Sequence, residues 1–441
     1  MERLRKCFFV IVLVMLSLIP FYPVWSEVAV LLLFVAGVGA RNIVGLPAID
    51  RKTSVLPLLL LIFFVLAAVS LLHSYDKLSG LDNLHTYIPF AALPILMLYY
   101  PNELSDNKIR LIKVLSGGIL AASALCLVLA VIRSFYIIDG HLVFNPYISY
   151  RNQFVYTYLS VFQYTNTFAM MTVFVTAVMI WALLYRNVKR RWLVWGAIGL
   201  SILMVFLLSS RTNVYALFAV LYYSVLVFYL RFKKLIRSLL LLVAVTGLFW
   251  VFQTCNYRVM NLSKTVTSYI TEEDIVLDNG YVVHHPENIE GVNIRFKMWE
   301  TGLKLAGEYW LTGCGIGDYK DVLRISYLLD GLDEAYQKCY DQHNQYIETL
   351  GTFGVLGFAM LATIMLYALY QAYKQRNYLL FCCLMLLALN MLLESVFNRY
   401  SGSLFFVVAL SLASLADHPT VAELGGDANR SIEGKNDLMT I

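Results

Sequence analysis

Residues 340–357 read YDQHNQYIETLGTFGVLG. The stretch begins polar and ends apolar, and from Thr349 an apolar run continues to Tyr373. A helix needs about 20 apolar residues to cross the hydrocarbon core of a bilayer. The stretch therefore marks a chain entering a membrane, with His343 and Asn344 side by side at the mouth of the span. A titratable ring in that position asks for an explanation.

The rest of the chain agrees with a membrane reading. Of 441 residues, 59% are hydrophobic and only 14% are charged, where a soluble domain carries about 25% charged residues. The mean hydropathy is +0.67. These values exclude an ordinary water-soluble domain. They predict an all-α polytopic membrane protein, each helix satisfying its own backbone hydrogen bonds in lipid. The N-terminus, MERLRKCFFVIVLVMLSLIPFYPVW, has a basic head and an apolar run like a signal peptide. Pro23, Val24 and Trp25 offer no small-residue cleavage site, and a second apolar run follows at once. It reads as a retained first transmembrane helix.

About twelve candidate spans follow, near 7–25, 27–40, 54–73, 85–100, 111–135, 161–185, 192–208, 213–230, 236–254, 349–373, 377–397 and 401–416. Pro89 and Pro94 predict a kink in the fourth. Alternate connections are rich in Lys and Arg, among them Arg3, Arg5 and Lys6, then Arg186, Lys189, Arg190 and Arg191, then Arg231, Lys233, Lys234 and Arg237. By the positive-inside rule these face the cytoplasm. Both termini are then cytoplasmic, and the polar tail, 417–441, reads as disordered. The basic loops are a topology signal and not a nucleic-acid patch.

The expected organisation is nine spans over 1–254, one long outer segment over 255–348, three spans over 349–416, and the tail. Alternation puts Arg211, Arg295, His343 and Arg399 on one side of the membrane. Cys7, Cys126, Cys382 and Cys383 fall in apolar runs and read as packing residues. Cys255, Cys314 and Cys339 fall in the long segment, where one disulfide is compatible with an oxidising compartment, its pairing open.

Each candidate side chain has a bland alternative. Arg211, in LLSSRTNVYALF, is either functional, as arginine near hydrocarbon is costly, or a snorkelling interfacial residue. Arg295 and Trp299 sit i and i+4 on a helix that Asn293 would cap, so a cation–π contact can form. Lys297 and Lys304 add positive charge to the same amphipathic stretch, and by itself it reads first as a surface helix lying on the membrane interface. The loop GCGIGDY, 313–319, lacks the Lys-Ser/Thr of a phosphate-binding loop and reads as a turn. His343 is either a general base or a hydrogen-bonded interfacial histidine. Cys339 at i−4 and the pair His284 and His285 raise metal binding, but adjacent histidines point apart on a helix and no repeated ligand spacing appears. Glu394, in MLLESVFNRYSG, invites a contact with Arg399 or a place in the site. No Ser-His-Asp set and no outer pair of carboxylates spaced like DxD is evident. Arginines and one histidine suit an anionic, lipid-linked substrate, since arginine clamps phosphate bidentately and a base activates a hydroxyl.

These features together resemble the O-antigen ligase and polymerase superfamily of bacterial inner-membrane glycosyltransferases. The resemblance rests on the twelve-span layout, the long outer segment after the ninth span, Arg295 with Trp299, HNQYIETLGTFGVLG, SSRTN and ESVFNRYSGSLFF. It is strongest over about 200–400. It implies a membrane-embedded, GT-C-like glycosyltransferase with a helical periplasmic segment and an active site facing the periplasm. The donor would be a glycan on undecaprenyl pyrophosphate and the acceptor a hydroxyl of lipid A–core for a ligase, or of another lipid-linked glycan for a polymerase. Arg211 and Arg295 would hold the pyrophosphate, His343 would take the acceptor proton, Asn344 would orient the base or acceptor, and Arg399 would join the anionic pocket. Inversion without a metal cofactor follows. A serine or threonine acceptor is a third branch, and a lipid-linked glycan transporter is the reading from another class.

Overall fold

The computed structural model describes residues 2–21, 23–44, 55–138, 141–148, 151–255, 275–276, 282–283 and 293–415. His284, His285 and the 417–441 tail lie outside them. Among the described residues the chain forms seventeen α-helices and no barrel. It is an all-α polytopic membrane protein.

Helices α1 (Glu2–Leu18), α2 (Pro23–Val44), α3 (Val55–His73), α5 (Pro89–Tyr99), α7 (Lys108–Arg133), α8 (Thr165–Tyr185), α9 (Arg191–Leu208), α10 (Arg211–Phe232) and α11 (Leu235–Cys255) fall on the first nine expected spans. Three more, α15 (Gln345–Lys374), α16 (Tyr378–Leu393) and α17 (Tyr400–Ser414), fall on the last three. Seven of these, α3, α7 to α11 and α15, are long and apolar enough to cross a membrane by length and composition. The short helices α4 (Lys77–His85) and α6 (Pro101–Asp106) connect spans. Helices α12 (Asn293–Glu308), α13 (Tyr319–Leu329) and α14 (Asp333–Gln337) belong to the long segment.

Several boundaries differ from the sequence reading. The first span ends at Leu18, and Pro23 opens α2 because proline suits the first turn of a helix. Pro89 likewise starts α5, so only Pro94 lies inside it. The eleventh span ends at Leu393, which leaves Glu394 extended at φ −150° and ψ 148°. The connection from α7 to α8 carries two antiparallel hairpins, β1 (Phe135–Ile138) with β2 (His141–Phe144) and β3 (Tyr147–Ile148) with β4 (Arg151–Asn152), then a 3-10 turn at Tyr156–Tyr158.

Helix α8 is central, with 78% of its apolar window buried in the protein, whereas α11 has 11% and presents its leucines outward to lipid. At one end of the bundle Phe63, Tyr87, Phe90, Phe353, Phe397 and Phe406 meet largely edge to face, with centroids 5.0–6.1 Å apart. That geometry suits the ring quadrupoles. It fixes the start of α15 and the 394–399 connection to α3 and α5.

Helix α15 is broken at Gly354, where φ is +66° and ψ −164°. Only glycine adopts that region readily. The GCGIG loop fills the break. Cys314 N–H donates to the Gly351 carbonyl (2.8 Å), Gly315 N–H to Thr352 (3.0 Å), and Val355 N–H to the Trp310 carbonyl (2.8 Å). The loop is thus a backbone clamp rather than a free turn. It is pinned in turn to the end of α3: Ser74 Oγ accepts from Gly317 N–H at 3.1 Å, and the Asp318 carboxylate accepts from Tyr75 and Asp76 N–H at 2.6 and 2.8 Å. A Cβ on Gly313 or Gly354 would lie 2.3 Å from backbone atoms across the clamp. Gly354→Ala should therefore lower the thermal midpoint in detergent sharply, the backbone strain alone being about 1–3 kcal/mol. Gly199→Ala in α9, where a Cβ meets nothing within 4 Å, should leave the midpoint unchanged or raise it.

Candidate functional site

The same end of the bundle holds a cavity of about 570 Å³. Its walls come from 156–166 ahead of α8, the turn into α10, the start of α12, the loop before α15, and the connection from α16 to α17. Arg211, Arg295, His343, Glu394 and Arg399 all line it. Residues spread over nearly half the chain thus meet at one opening.

Local structure explains each placement. Ser209 turns left-handed at φ +51° after α9, and Arg211 becomes the first residue of α10. Beside it the buried amides of Asn213 and Asn390 and the half-buried Asn166 join α8, α10 and α16. Asn213 Nδ2 donates to Asn166 Oδ1 at 2.7 Å and Asn390 Nδ2 to Asn213 Oδ1 at 3.0 Å. Ser210 Oγ donates to Asn166 Oδ1 at 2.6 Å. Buried polar groups tie helices together when they satisfy one another, and this set forms a rigid floor.

Asn344 is the N-cap of α15: its Oδ1 accepts from Tyr346 N–H (3.0 Å) and Ile347 N–H (3.1 Å), and the residue is buried. Its Oδ1 is thus committed to the helix start, beside the residue that the sequence reading had it orient. His343 precedes it at φ +48°, an uncommon conformation for a residue with a Cβ. Asp341 Oδ1 holds it there by accepting the His343 N–H at 3.0 Å.

The imidazole faces carboxylates. His343 Nδ1 is 3.1 Å from Glu394 Oε2 and 3.4 Å from Asp341 Oδ1. An ionised carboxylate only accepts, so Nδ1 carries a hydrogen, and in the neutral ring Nε2 is the nitrogen with the lone pair. The other oxygen of Glu394 accepts from Arg295 Nη2 at 3.3 Å, and Arg295 Nη1 donates to the Leu393 carbonyl at 3.2 Å. Glu394 therefore joins His343 to Arg295. Arg399, expected beside Glu394, stacks instead over the Tyr164 ring at 4.0 Å. Trp299 packs edge-on against Phe296 at 5.4 Å, while the Arg295 guanidinium turns to Glu394 rather than to that ring. Lys304 pairs with Glu300 and Asp330, and α12 packs its Met298 and Leu305 inward instead of lying free on a surface.

Burial pushes the Glu394 carboxyl up, but the hydrogen bond from His343 and the charges of Arg295, His343 and Arg399 together hold it below the ordinary value. The carboxylate form is thus the working form. Among the described residues no group of three His, Cys, Asp or Glu could hold a metal ion. Cys255, Cys314 and Cys339 are free thiols, so the disulfide that the sequence allowed is not formed.

Residues 196–362 match the family model described as O-antigen ligase. That match covers under half of the chain and supports a place in the O-antigen ligase and polymerase superfamily. No curated protein matches it. The superfamily stretch contains Arg211, Arg295 and His343, whereas Glu394 and Arg399 lie beyond its end. The sequence reading missed the wall made by Tyr156, Gln163, Tyr164 and Asn166. Its signal was a polar and aromatic run, YTYLSVFQYTN, where an apolar span was expected to begin.

Two measurements check this geometry. Asn344→Ser should keep the cap and the wild-type thermal midpoint, while Asn344→Ala should lose about 1 kcal/mol of stability. A carboxyl with a depressed folded pKa contributes stability above its unfolded value and loses it as pH falls through the folded value. The wild type should therefore melt above Glu394→Gln when pH exceeds the ordinary carboxylate value of about 4.3. That gap should close in stronger acid.

Proposed function

We propose that this protein transfers a glycan from undecaprenyl pyrophosphate to a sugar hydroxyl, by an inverting reaction at the arginine-lined cavity. The observation that carries the reading is the His343 imidazole, fixed by Glu394 in the tautomer of a base, in a cavity lined by Arg211, Arg295 and Arg399. Fixed cations facing the place where charge develops are the largest single aid to such a step.

The atoms balance as follows. The acceptor hydroxyl gives its proton to His343 Nε2 while its oxygen attacks the anomeric carbon. The bond from that carbon to the pyrophosphate oxygen breaks on the opposite face, so the configuration inverts. The leaving group is the lipid pyrophosphate, whose added charge falls to Arg211 and Arg295. Arginine has five N–H donors in a fork, and the bonds to Leu393 and Glu394 engage two of its nitrogens, leaving other donors for phosphate. Glu394 then stabilises the imidazolium until it releases its proton to water. In this reading arginine supplies the positive charge and no metal takes part.

The favoured acceptor is a lipid A–core hydroxyl, which makes the protein an O-antigen ligase. A second lipid-linked glycan as acceptor would make it a polymerase on the same chemistry. The positive-inside pattern supports an inner-membrane protein with both termini in the cytoplasm and this cavity on the periplasmic side.

Reconstituted protein with a lipid-pyrophosphate-linked glycan should add one glycan to lipid A–core. His343→Ala should lower the rate about 10²–10⁴-fold, the usual worth of a positioned base. Arg295→Lys should also lose activity, since a point charge does not replace the guanidinium fork. A ladder of lengthened lipid-linked glycans without lipid A–core would instead assign a polymerase. A His343→Ala variant that folds and transfers at the wild-type rate would remove the reading.

A further inference from the structure

A second cavity, of about 320 Å³, opens beside the first and shares Arg399 with it. Asp341 lines this second space, and its Oδ1 holds the backbone of His343, which lines the first. The base thus stands at the junction of the two.

Their chemistry differs. In the second cavity the cations are already engaged. Lys320 Nζ donates to Asn83 Oδ1 at 2.7 Å, and Arg324 lies over the Tyr336 ring at 4.7 Å with its Nε–H on the Tyr336 carbonyl. Arg399 stacks on Tyr164. Asp341 is engaged by His343 through one oxygen. Glu348 is 4% exposed and accepts from Asn398 Nδ2 at 3.1 Å, and among the described residues no Lys, Arg or His forms an ion pair with it. A buried carboxyl favours further hydrogen-bond partners. Acids and cations share this lining, with Lys320, Arg324 and Arg399 beside Asp321, Asp341 and Glu348, so it offers donors and acceptors together rather than the arginine-dominated wall of the first cavity. A neutral polyol would supply O–H donors to the same oxygens. The volume lies at the small end of ligand pockets, with room for the terminal part of a glycan.

We infer that the second cavity is the subsite for the acceptor sugar, with Glu348 and Asp341 accepting from its hydroxyls and presenting one hydroxyl to His343 across the junction. The inference rests on the proposed transfer reaction for its purpose, but binding can be read without turnover. The donor pyrophosphate keeps to the arginine-lined cavity and the neutral, hydroxyl-rich acceptor to the cavity of mixed lining.

The test uses the full chain in detergent and two soluble, lipid-free glycans, one cut from lipid A–core and one from the donor. Binding is measured by calorimetry, and each glycan is tried as an inhibitor of transfer. One of them should bind and compete with the acceptor but not with the donor. Glu348→Gln should weaken that binding at least tenfold. Asp321→Trp, at an exposed position on the cavity rim, should do the same without disturbing a packed interior. Both variants should raise the acceptor KM and leave the donor KM unchanged. Binding unchanged in folded Asp321→Trp overturns the assignment, as does a wild type that binds neither glycan, a result that would point to a serine or threonine acceptor. Loss of transfer in His343→Ala with glycan binding intact separates the base from the subsite. Normal glycan binding in a wild type that transfers nothing would sink the reaction and keep the subsite.

Discussion

A helix in a bilayer can break only where other groups take up the backbone bonds it gives up. Helix α15 breaks at Gly354, and the GCGIG loop takes up those bonds. Everything at the active end depends on this exchange. It locks the long segment to the span that follows it, and through Ser74 and Asp318 it locks both to α3. Gly313 and Gly354 permit it because no side chain would fit between the two backbones. The first turns of α15, with the Asn344 cap and His343 ahead of it, are held at a fixed height as a result.

On that frame Glu394 organises the charges. It stands where α16 has ended and α17 has not begun, so its carboxylate is free of helix geometry. One oxygen faces His343 and the other Arg295. Removing either partner would leave a partly buried charge in need of another. The carboxylate also offsets the repulsion between the Arg295 guanidinium and a protonated His343, so the two can be neighbours.

The spans were legible because a bilayer demands about 20 apolar residues and the sequence supplies them in blocks. Arg211, Arg295, His343 and Arg399 were legible as a set because loop charges alternate along the chain, which put them at one end. The interruption at Gly354 was not, since GTFGVLG reads as an unbroken apolar run and glycine is common in membrane helices. Local spacing also misled. It paired Arg295 with Trp299 at i+4, while the structure pairs it with an acid 99 residues away. No periodicity connects residues that meet only through tertiary packing. The same holds for Glu348, which lies on the face of α15 turned toward Asn398.

The superfamily stretch ends at residue 362, yet the carboxylate that meets His343 Nδ1 is at 394. In the proposed reaction a general base needs both a lone pair and an orientation, and the two come from different parts of the chain. His343 supplies the lone pair at the mouth of α15, and the connection returning from α16 supplies the orientation. The unit that can carry the chemistry is therefore larger than the matched stretch. It extends at least to Arg399, where the two cavities meet, and forward to the 156–166 wall that closes the first of them.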